Sequence, residues 1–312
     1  MPIRRREILK VPAAAFFLAK PVLAQSEAAQ SLAAAEISFL TIGDWGNPKN
    51  RSDAKRVAQA MAFIAEAQGA GFVVAAGDNF YPSGVSGVGD PLWKVAFEQI
   101  YSDKALDVPW HIALGNHDHK GNIQAQIDYS EHSRRWDLPA PYYVLRKRRQ
   151  GITADFFFID TTPMAKVNFW TELMWSSSEV EDQLRWLERE LAASSARWKI
   201  VVGHHPVFSG GTHGTTPFLV ERLPPMFKRY GVQVYLNGHD HDLQHVQLEE
   251  TSYLTSGAAA SFRPTSAIKG TQFAQAKLGF LSVRLGPETA LLKFVADDKR
   301  ILYETAIGNG AS

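Results

Sequence analysis

The sequence predicts an α/β fold, and three observations predict it. Apolar runs of strand length alternate with stretches of helical period between residues 37 and 238. Five of the runs stop at a glycine followed at once by polar residues: Gly43-Asp44, Gly77-Asp78, Gly115-Asn116, Gly203-His204 and Gly238-His239. Beyond them come short β-type segments with no long helix among them. Ligand sites in open α/β sheets gather past the carboxyl ends of strands, and glycine lets the backbone turn sharply there, with positive φ if needed. Separate strand ends therefore carry polar heads toward what can be one place.

The elements follow in order. ISFLTIG (37–43) is a buried strand candidate. Ser52 is placed as the cap of a helix running to about Gln68, with Val57, Met61 and Ile64 on one apolar face. FVVAAG (72–77), HIALG (111–115) and ADFFFID (154–160) read as the next strands. SEVEDQLRWLEREL (178–191) is an amphipathic helix, opened by Ser178 with Glu181 three residues on in the pattern of a capping box. KIVVG (199–203) and VQVYLNG (232–238) are strands, followed by the β segments SYLTSG, GFLSVRL and ALLKFVA. No linker interrupts residues 37–312, so this stretch is expected to be one domain.

The first residues have a different character. MPIRRREILK is basic, VPAAAFFLAKPVLA is short and apolar, and VLAQ offers small residues for cleavage after Ala24. That is the layout of a signal peptide over 1–24, with 25–35 as linker and 36–312 as the folded domain; the apolar run is too short to anchor in a membrane. Arg5-Arg6 in RRREILK resembles a twin-arginine export signal, with Arg4 in place of the usual hydroxyl residue. An ordinary secretory signal or an uncleaved basic tail is the other reading. Export predicts a periplasmic or secreted protein.

Composition excludes several classes. The 312 residues carry a net charge of +1 with no long single-sign block, which argues against a nucleic-acid groove. Cysteine is absent, so there is no disulfide, thiolate nucleophile or thiolate metal site. A metal would have to sit on imidazole, carboxylate, amide or phenolate groups.

The strand ends supply such groups: GDWG, GDNFY, GNHDH, GHH and GHDH carry Asp44, Asp78, Asn79, Tyr81, Asn116, His117, Asp118, His119, His204, His205, His239, Asp240 and His241. Each motif alone is weak. GNHD alone reads as a turn, GDNFY as a capped turn with a core tyrosine, and HxH as solvated surface. Together, each after an apolar run, they point to one polyvalent site.

These motifs, with GDNFYPSGV, GNHDHKGN, RRWDLPAPYY, GHHPVFSGGTHG and NGHDHDLQ, resemble the purple acid phosphatases within the calcineurin-like metallophosphoesterases, most closely the small tartrate-resistant type. The resemblance covers most of 37–250 and fades after about residue 257. It implies a four-layer α/β-β/α sandwich of two mixed sheets flanked by helices. It further implies Asp44, Tyr81 and His241 as ligands of one metal, Asn116, His204 and His239 as ligands of a second, and Asp78 bridging both. The implied reaction is hydrolysis of small phosphate monoesters by a metal-bound hydroxide at an Fe(III)–M(II) pair, with Fe(II), Zn(II) or Mn(II) second. His117 and His213 would contact phosphate and help protonate the leaving group. A phenolate favours a trivalent metal, so Tyr81 on Fe(III) would colour the protein.

Around the ligands, Asp118 and His205 are expected to orient them; Asp240, Asp242 and His119 are expected to be solvated or outer groups, and Trp45 to be core packing. His239 and His241 need a sharp turn after Gly238 to share a site, because alternate side chains of an extended strand point apart. Residues 161–178 replace a longer mobile loop of the animal enzymes and carry Phe169, Trp170, Leu173, Met174 and Trp175; a lid or a packed short helix both fit. Arg263 and Lys269 either reach an anionic substrate or are solvated. The expected partners are small phosphate esters, with no nucleic acid and a monomeric chain. Two rival functions stand: a phosphodiesterase or Mn/Zn phosphatase of the same superfamily, and a catalytically silent metal- or phosphate-binding protein.

Overall fold

The computed structural model describes residues 36–165 and 177–310. The expected signal peptide 1–24 and linker 25–35 lie outside the described residues, and so do Phe169, Trp170, Leu173, Met174 and Trp175. Among the described residues no helix is long and apolar enough to cross a membrane.

Two mixed sheets of seven strands form the centre. In the first, β1 (Ile37–Ile42), β2 (Phe72–Ala76), β3 (Trp110–Ala113) and β4 (Trp136–Asp137) run parallel. β12 (Gly279–Leu285), β13 (Thr289–Ala296) and β14 (Ile301–Gly308) extend it antiparallel from β1. In the second, β6 (Ile152–Phe158), β7 (Trp198–Val202), β8 (Val234–Asn237) and β10 (Thr251–Ser256) run parallel. β5 (Tyr143–Arg149) flanks β6 at one edge, and β9 (Leu243–Leu248) and β11 (Thr271–Gln275) lie beyond β10 at the other, all antiparallel to their neighbours.

The strand period assigns the layers. Ile37, Phe39, Phe72 and Val74 pack with Phe156, Phe158, Ile200, Val202 and Leu236 between the sheets. The alternate residues of the same strands turn outward. Leu40, Ile42, Val73 and Ala75 meet the helix Arg51–Gln68 (α1) on one side. Phe157, Ile159, Val201 and Tyr235 meet the helices Ser177–Ala193 (α2) and Pro217–Tyr230 (α3) on the other. This is the four-layer sandwich that the resemblance implied. Phe39, Phe72 and Phe156 pack at ring separations of 5.0–5.5 Å between the sheets, each such contact adding about 0.5–1.5 kcal/mol beyond area burial.

Several expectations change. Ser52 is not a cap: a 3-10 turn at Pro48–Asn50, itself capped by Asn47, leads straight into α1 at Arg51. The helix begins at Ser177, so Ser178 lies inside it rather than at its cap, and the Glu181 carboxylate accepts from the Arg222 guanidinium at 2.6 and 2.7 Å. Helix α3 escaped the sequence reading because Pro224 and Pro225 sit inside it; burial of Leu219, Leu223 and Phe227 against the sheet offsets the lost backbone bonds. β5 escaped because YVLRKRR carries basic side chains at an edge. Trp45 is core, as expected: it is fully buried among Phe80, Phe97, Tyr101, Trp110 and Trp136.

One buried imidazole makes stability depend on pH. His111 of β3 donates from Nδ1 to Asp137 at 2.6 Å, while its Nε2 has no partner among the described residues and its ring lies against Phe72. Burial holds its pKa below the usual histidine value, partly offset by Asp137. The unfolded chain therefore takes up this proton first, so the stability is present above about pH 6.5 and is lost as pH falls toward the depressed folded value. In denaturant titrations from about pH 7 to pH 5, His111→Phe should show a shallower fall in unfolding free energy than the wild type; equal slopes would contradict it.

Candidate metal centre

The polar heads do converge. Asp44 follows β1, Asp78 follows β2, Asn116 follows β3, His204 follows β7 and His239 follows β8. Three strands belong to one sheet and two to the other, so the site straddles the carboxyl ends of both sheets. Expected positive φ falls mostly on the site residues themselves. Asp44 (60°), Asp78 (51°) and His239 (69°) are left-handed, whereas of the five preceding glycines only Gly77 is. The other glycines provide room. A Cβ on Gly115 would lie 2.2 Å from the Asp78 amide nitrogen and 2.3 Å from its Oδ1.

Two groups of donor atoms share Asp78. In the first, the Tyr81 hydroxyl lies 2.8 Å from Asp44 Oδ1, 2.9 Å from Asp78 Oδ2 and 3.3 Å from His241 Nε2. In the second, His204 Nε2 lies 3.2 Å from Asn116 Oδ1, 3.2 Å from His239 Nδ1 and 3.4 Å from Asp78 Oδ1. Each group holds more lone pairs than protons to place between them. One phenolic proton cannot satisfy two carboxylates and an imidazole, and one Nε2 proton cannot serve three acceptors. Asp44, Asp78 and His204 meet the spacing of a metal-binding cluster. The donor set of carboxylate, phenol, imidazole and amide, with no sulfur, suits Fe, Zn or Mn.

Neighbouring groups orient the donors. His204 Nδ1 donates to the Ala76 carbonyl at 2.9 Å, which turns Nε2 inward. His241 Nδ1 is 2.7 Å from Ser261 Oγ, which turns its Nε2 toward Tyr81. His239 and His241 share the site because the chain makes two consecutive tight turns, Asp240 N to Gly238 O at 2.9 Å and Asp242 N to Asp240 O at 2.8 Å. The Asp44 carboxylate accepts from the His239 amide at 2.8 Å, tying the two sheets together.

Asp118 is fully buried and accepts from the amides of Asn79, Phe80 and Gly115 and from the side chains of Asn79 and Gln126. Burial and the charge of Asp78 push its carboxyl up to about 6, against these donors. It clamps the two loops that carry Asp78 and Asn116, the orienting work expected of it. His205 is buried, as a positioning residue should be, with its ring 4.3 Å from that of His239.

Of the two alternatives expected for Asp240, Asp242 and His119, solvated or outer groups behind the donors, the structure shows the second. Asp240 is fully buried and accepts from the His213 amide at 2.7 Å, the Gly214 amide at 3.3 Å and the Ser209 hydroxyl. Asp242 is buried, accepts from Gln244 at 2.8 Å, and has its pKa raised to about 7 by burial. His119 pairs with Asp160 at 2.7 Å. These acids are inside because GHDHDLQ coils into the sheet gap rather than onto the surface.

His117 and His213 flank the donors. The His117 ring lies 4.3 Å from that of Tyr81, and its Nδ1 donates to Pro82 O at 2.6 Å. The His213 ring lies 4.3 Å from that of His239, and burial holds it below the usual histidine pKa. Sequence reasoning missed Thr161 and Ser261. The Thr161 hydroxyl accepts from the His204 and His205 amides at 3.2 and 2.9 Å and lies 2.9 Å from His205 Nδ1. Both residues follow strands, but no glycine precedes Thr161, and three alanines separate Gly257 from Ser261, so neither shows the glycine-then-polar signature.

The protonation of the metal-free site sets two tests. Burial and the charges of Asp44 and Asp78 hold the Tyr81 phenol well above its usual value. Burial opposes charge on His204, but Asp78 and Asp44 outweigh it and raise its pKa to about 10. Metal ligation requires both protons to leave. Adding Zn(II) or Fe to metal-free protein in weak buffer near pH 7 should release about two protons per chain from these groups, with affinity rising as pH rises; binding without proton release would contradict the arrangement. Gly115→Ala should displace Asp78 and lower metal content and turnover by about 10–100-fold, measured with bound metal per chain and a melting curve showing the fold retained.

The comparisons with known proteins agree with this geometry. The sequence profile described as calcineurin-like phosphoesterase matches residues 37–243. Tartrate-resistant acid phosphatase type 5 of Rattus norvegicus is 36% identical over 88% of this chain and 91% of its own length. Purple acid phosphatase 17 of Arabidopsis thaliana is 39% identical over 72% of this chain and 68% of its own. Among solved structures, a protein described as the anchor in the inner membrane complex of Plasmodium superposes with a TM-score of 0.80 at 25% identity, over 88% of this chain and 89% of that one. A purple acid phosphatase from yellow lupin seeds superposes at 0.64 and 17% identity over 88% of this chain and 54% of that one, which speaks to fold alone.

Proposed function

The chain belongs to the calcineurin-like phosphoesterase family of hydrolases, within the purple acid phosphatases, and on that premise we propose that it hydrolyses phosphate monoesters at a dinuclear Fe(III)–M(II) centre. The observation that carries the proposal is the Tyr81 hydroxyl among Asp44, Asp78 and His241, beside a second nest of Asn116, His204 and His239. Asp78 offers Oδ2 to the first nest and Oδ1 to the second. A hard phenolate with two carboxylates favours the trivalent ion in the first nest, and the softer imidazole-amide set suits Fe(II), Zn(II) or Mn(II) in the second. A metal pair held there would supply Lewis acidity toward the phosphoryl oxygens and a nucleophile at acidic to neutral pH.

The chain's own residues do the rest. Asp78 fixes the separation of the two nests. His117, anchored through Nδ1 to Pro82, turns Nε2 toward Asp78, 3.9 Å from Oδ2, where a phosphate oxygen or leaving alkoxide would arrive. With His213 on the opposite flank, two imidazoles are available to bind phosphate and deliver a proton to the leaving group. The basic leader 1–24 fits export by the twin-arginine route to the periplasm or beyond, leaving 25–35 as linker to the folded domain 36–312 of a monomeric chain; small esters rather than nucleic acid are the fitting substrates.

A protein described as an anchor shares this fold, so a second reading, metal or phosphate binding without turnover, is tested beside the first. One set of measurements separates them. Metal-loaded protein should show a visible charge-transfer band that disappears in Tyr81→Phe, with iron quantified in both. It should turn over p-nitrophenyl phosphate faster than bis(p-nitrophenyl) phosphate. Activity with two non-iron metals and no band would remove the Fe(III) assignment, and phosphate binding with no ester turnover would favour the second reading.

A further inference from the structure

The second donor nest spans the two sheets: Asn116 follows β3 of one and His204 follows β7 of the other. Their spacing needs a support that also spans the sheets, and Asp160 and Thr161, just past the end of β6, supply one. Asp160 Oδ2 pairs with His119 Nε2 at 2.7 Å, the two side chains being only 5% and 8% exposed. His119 closes the turn that carries Asn116, its amide donating to the Gly115 carbonyl at 3.2 Å. On the other side, the Thr161 hydroxyl accepts from the amides of His204 and His205 at 3.2 and 2.9 Å. Two consecutive residues thus hold one ligand-bearing turn each.

The pair stands on a fixed base. Gln183 of α2 is buried and bonds the Asp160 backbone twice, with Asp160 N donating to Gln183 Oε1 at 2.7 Å and Gln183 Nε2 donating to Asp160 O at 3.1 Å. The remaining carboxylate oxygen, Oδ1, accepts from the Thr162 amide at 3.0 Å. Both carboxylate oxygens and both backbone groups of Asp160 are therefore engaged. Asp118, the residue before His119, ties the same turn to the first sheet through the amides of Asn79 and Phe80. Neighbouring residues of one turn are strapped to opposite sheets, with Asn116 between the straps and the end of β3.

The first nest does not share this support. Among the described residues neither Asp160 nor Thr161 bonds Asp44, Tyr81 or His241. His241 rests on Ser261, and Asp44 on the His239 amide. Donor chemistry sharpens the difference. Carboxylates and a phenolate hold a cation by charge, whereas beyond the shared Asp78 the second nest offers an amide and two imidazoles, neutral donors that depend on being held at the right spacing. Resting on the dinuclear Fe(III)–M(II) reading above, we propose that Asp160 is a positioning residue for the second metal alone: with its neighbour Thr161 it sets the separation of Asn116 and His204, acting on the Asn116 turn through His119.

The test titrates Zn(II) into full-length protein already loaded with Fe(III), for wild type, Asp160→Ala, Asp160→Asn and His119→Ala, with a melting curve for each. Zinc affinity should fall about 10–100-fold in Asp160→Ala, while iron content and the visible Tyr81 band stay as in wild type. Asp160→Asn keeps an acceptor for His119 and should recover part of the loss. His119→Ala should weaken zinc binding in the same sense, and combining it with Asp160→Ala should cost nothing further, because the two side chains act as one contact. If Asp160→Ala fails to fold, Asp160→Asn and His119→Ala carry the same two readouts. Equal loss of iron and zinc in folded variants, or an unchanged zinc affinity, would overturn the inference while leaving the phosphatase reading intact. A wild type that takes up iron with no visible band, or holds one metal only, would overturn the dinuclear reading and the inference with it.

Discussion

Asp78 is the constraint on which the rest of the site depends. It is buried and held in a left-handed conformation, with one oxygen facing Tyr81 and the other facing His204. Burial alone would favour its neutral form, but His204 and His117 hold it far below the usual carboxylate range. Two like-charged carboxylates and a phenol packed this closely repel unless a cation lies among them. The surrounding features supply the compensation. Asp118 gathers the flanking amides, Gly77 and Gly115 leave room for His204 and Asp78, and His204 contributes a positive charge in the metal-free state.

The inter-sheet core makes this arrangement rigid. Asp44, Asp78 and Asn116 hang from one sheet and His204, His239 and His241 from the other, so the two donor nests exist only when the sheets are in register. That register is set by Phe39, Phe72, Phe156 and their neighbours, not by the polar groups. Trp45, adjacent to Asp44, is locked into the outer aromatic cluster. Apolar packing thereby fixes a carboxylate at a position its electrostatics alone would disfavour.

Family membership and geometry meet at Tyr81, whose hydroxyl touches three of the donor side chains. On the other flank, the Arg263 guanidinium meets His213 Nε2 at 2.6 Å. Its segment follows β10 and reaches the site only because Ser261 and the Gly211–Thr265 bridge bend it there. The same bend sets Ser261 against His241 Nδ1 and so orients the ring of that histidine.

The sequence by itself determined the main strands and their glycine-polar ends, because strand period and local turn chemistry are properties of neighbouring residues, while the seven donor assignments came from the resemblance those motifs carry. It left α3 hidden behind Pro224 and Pro225, and β5 behind its basic edge, since packing partners distant in the chain stabilise both. It also left open whether Asp240 and Asp242 were solvated or packed behind the donors, and it gave no sign of Thr161 or Ser261. Burial and hydrogen-bond geometry between segments as far apart as Arg263 and His213 are set by how two sheets close on one another. Only the tertiary structure decided which carboxylates went inside and which imidazole nitrogen faced the centre.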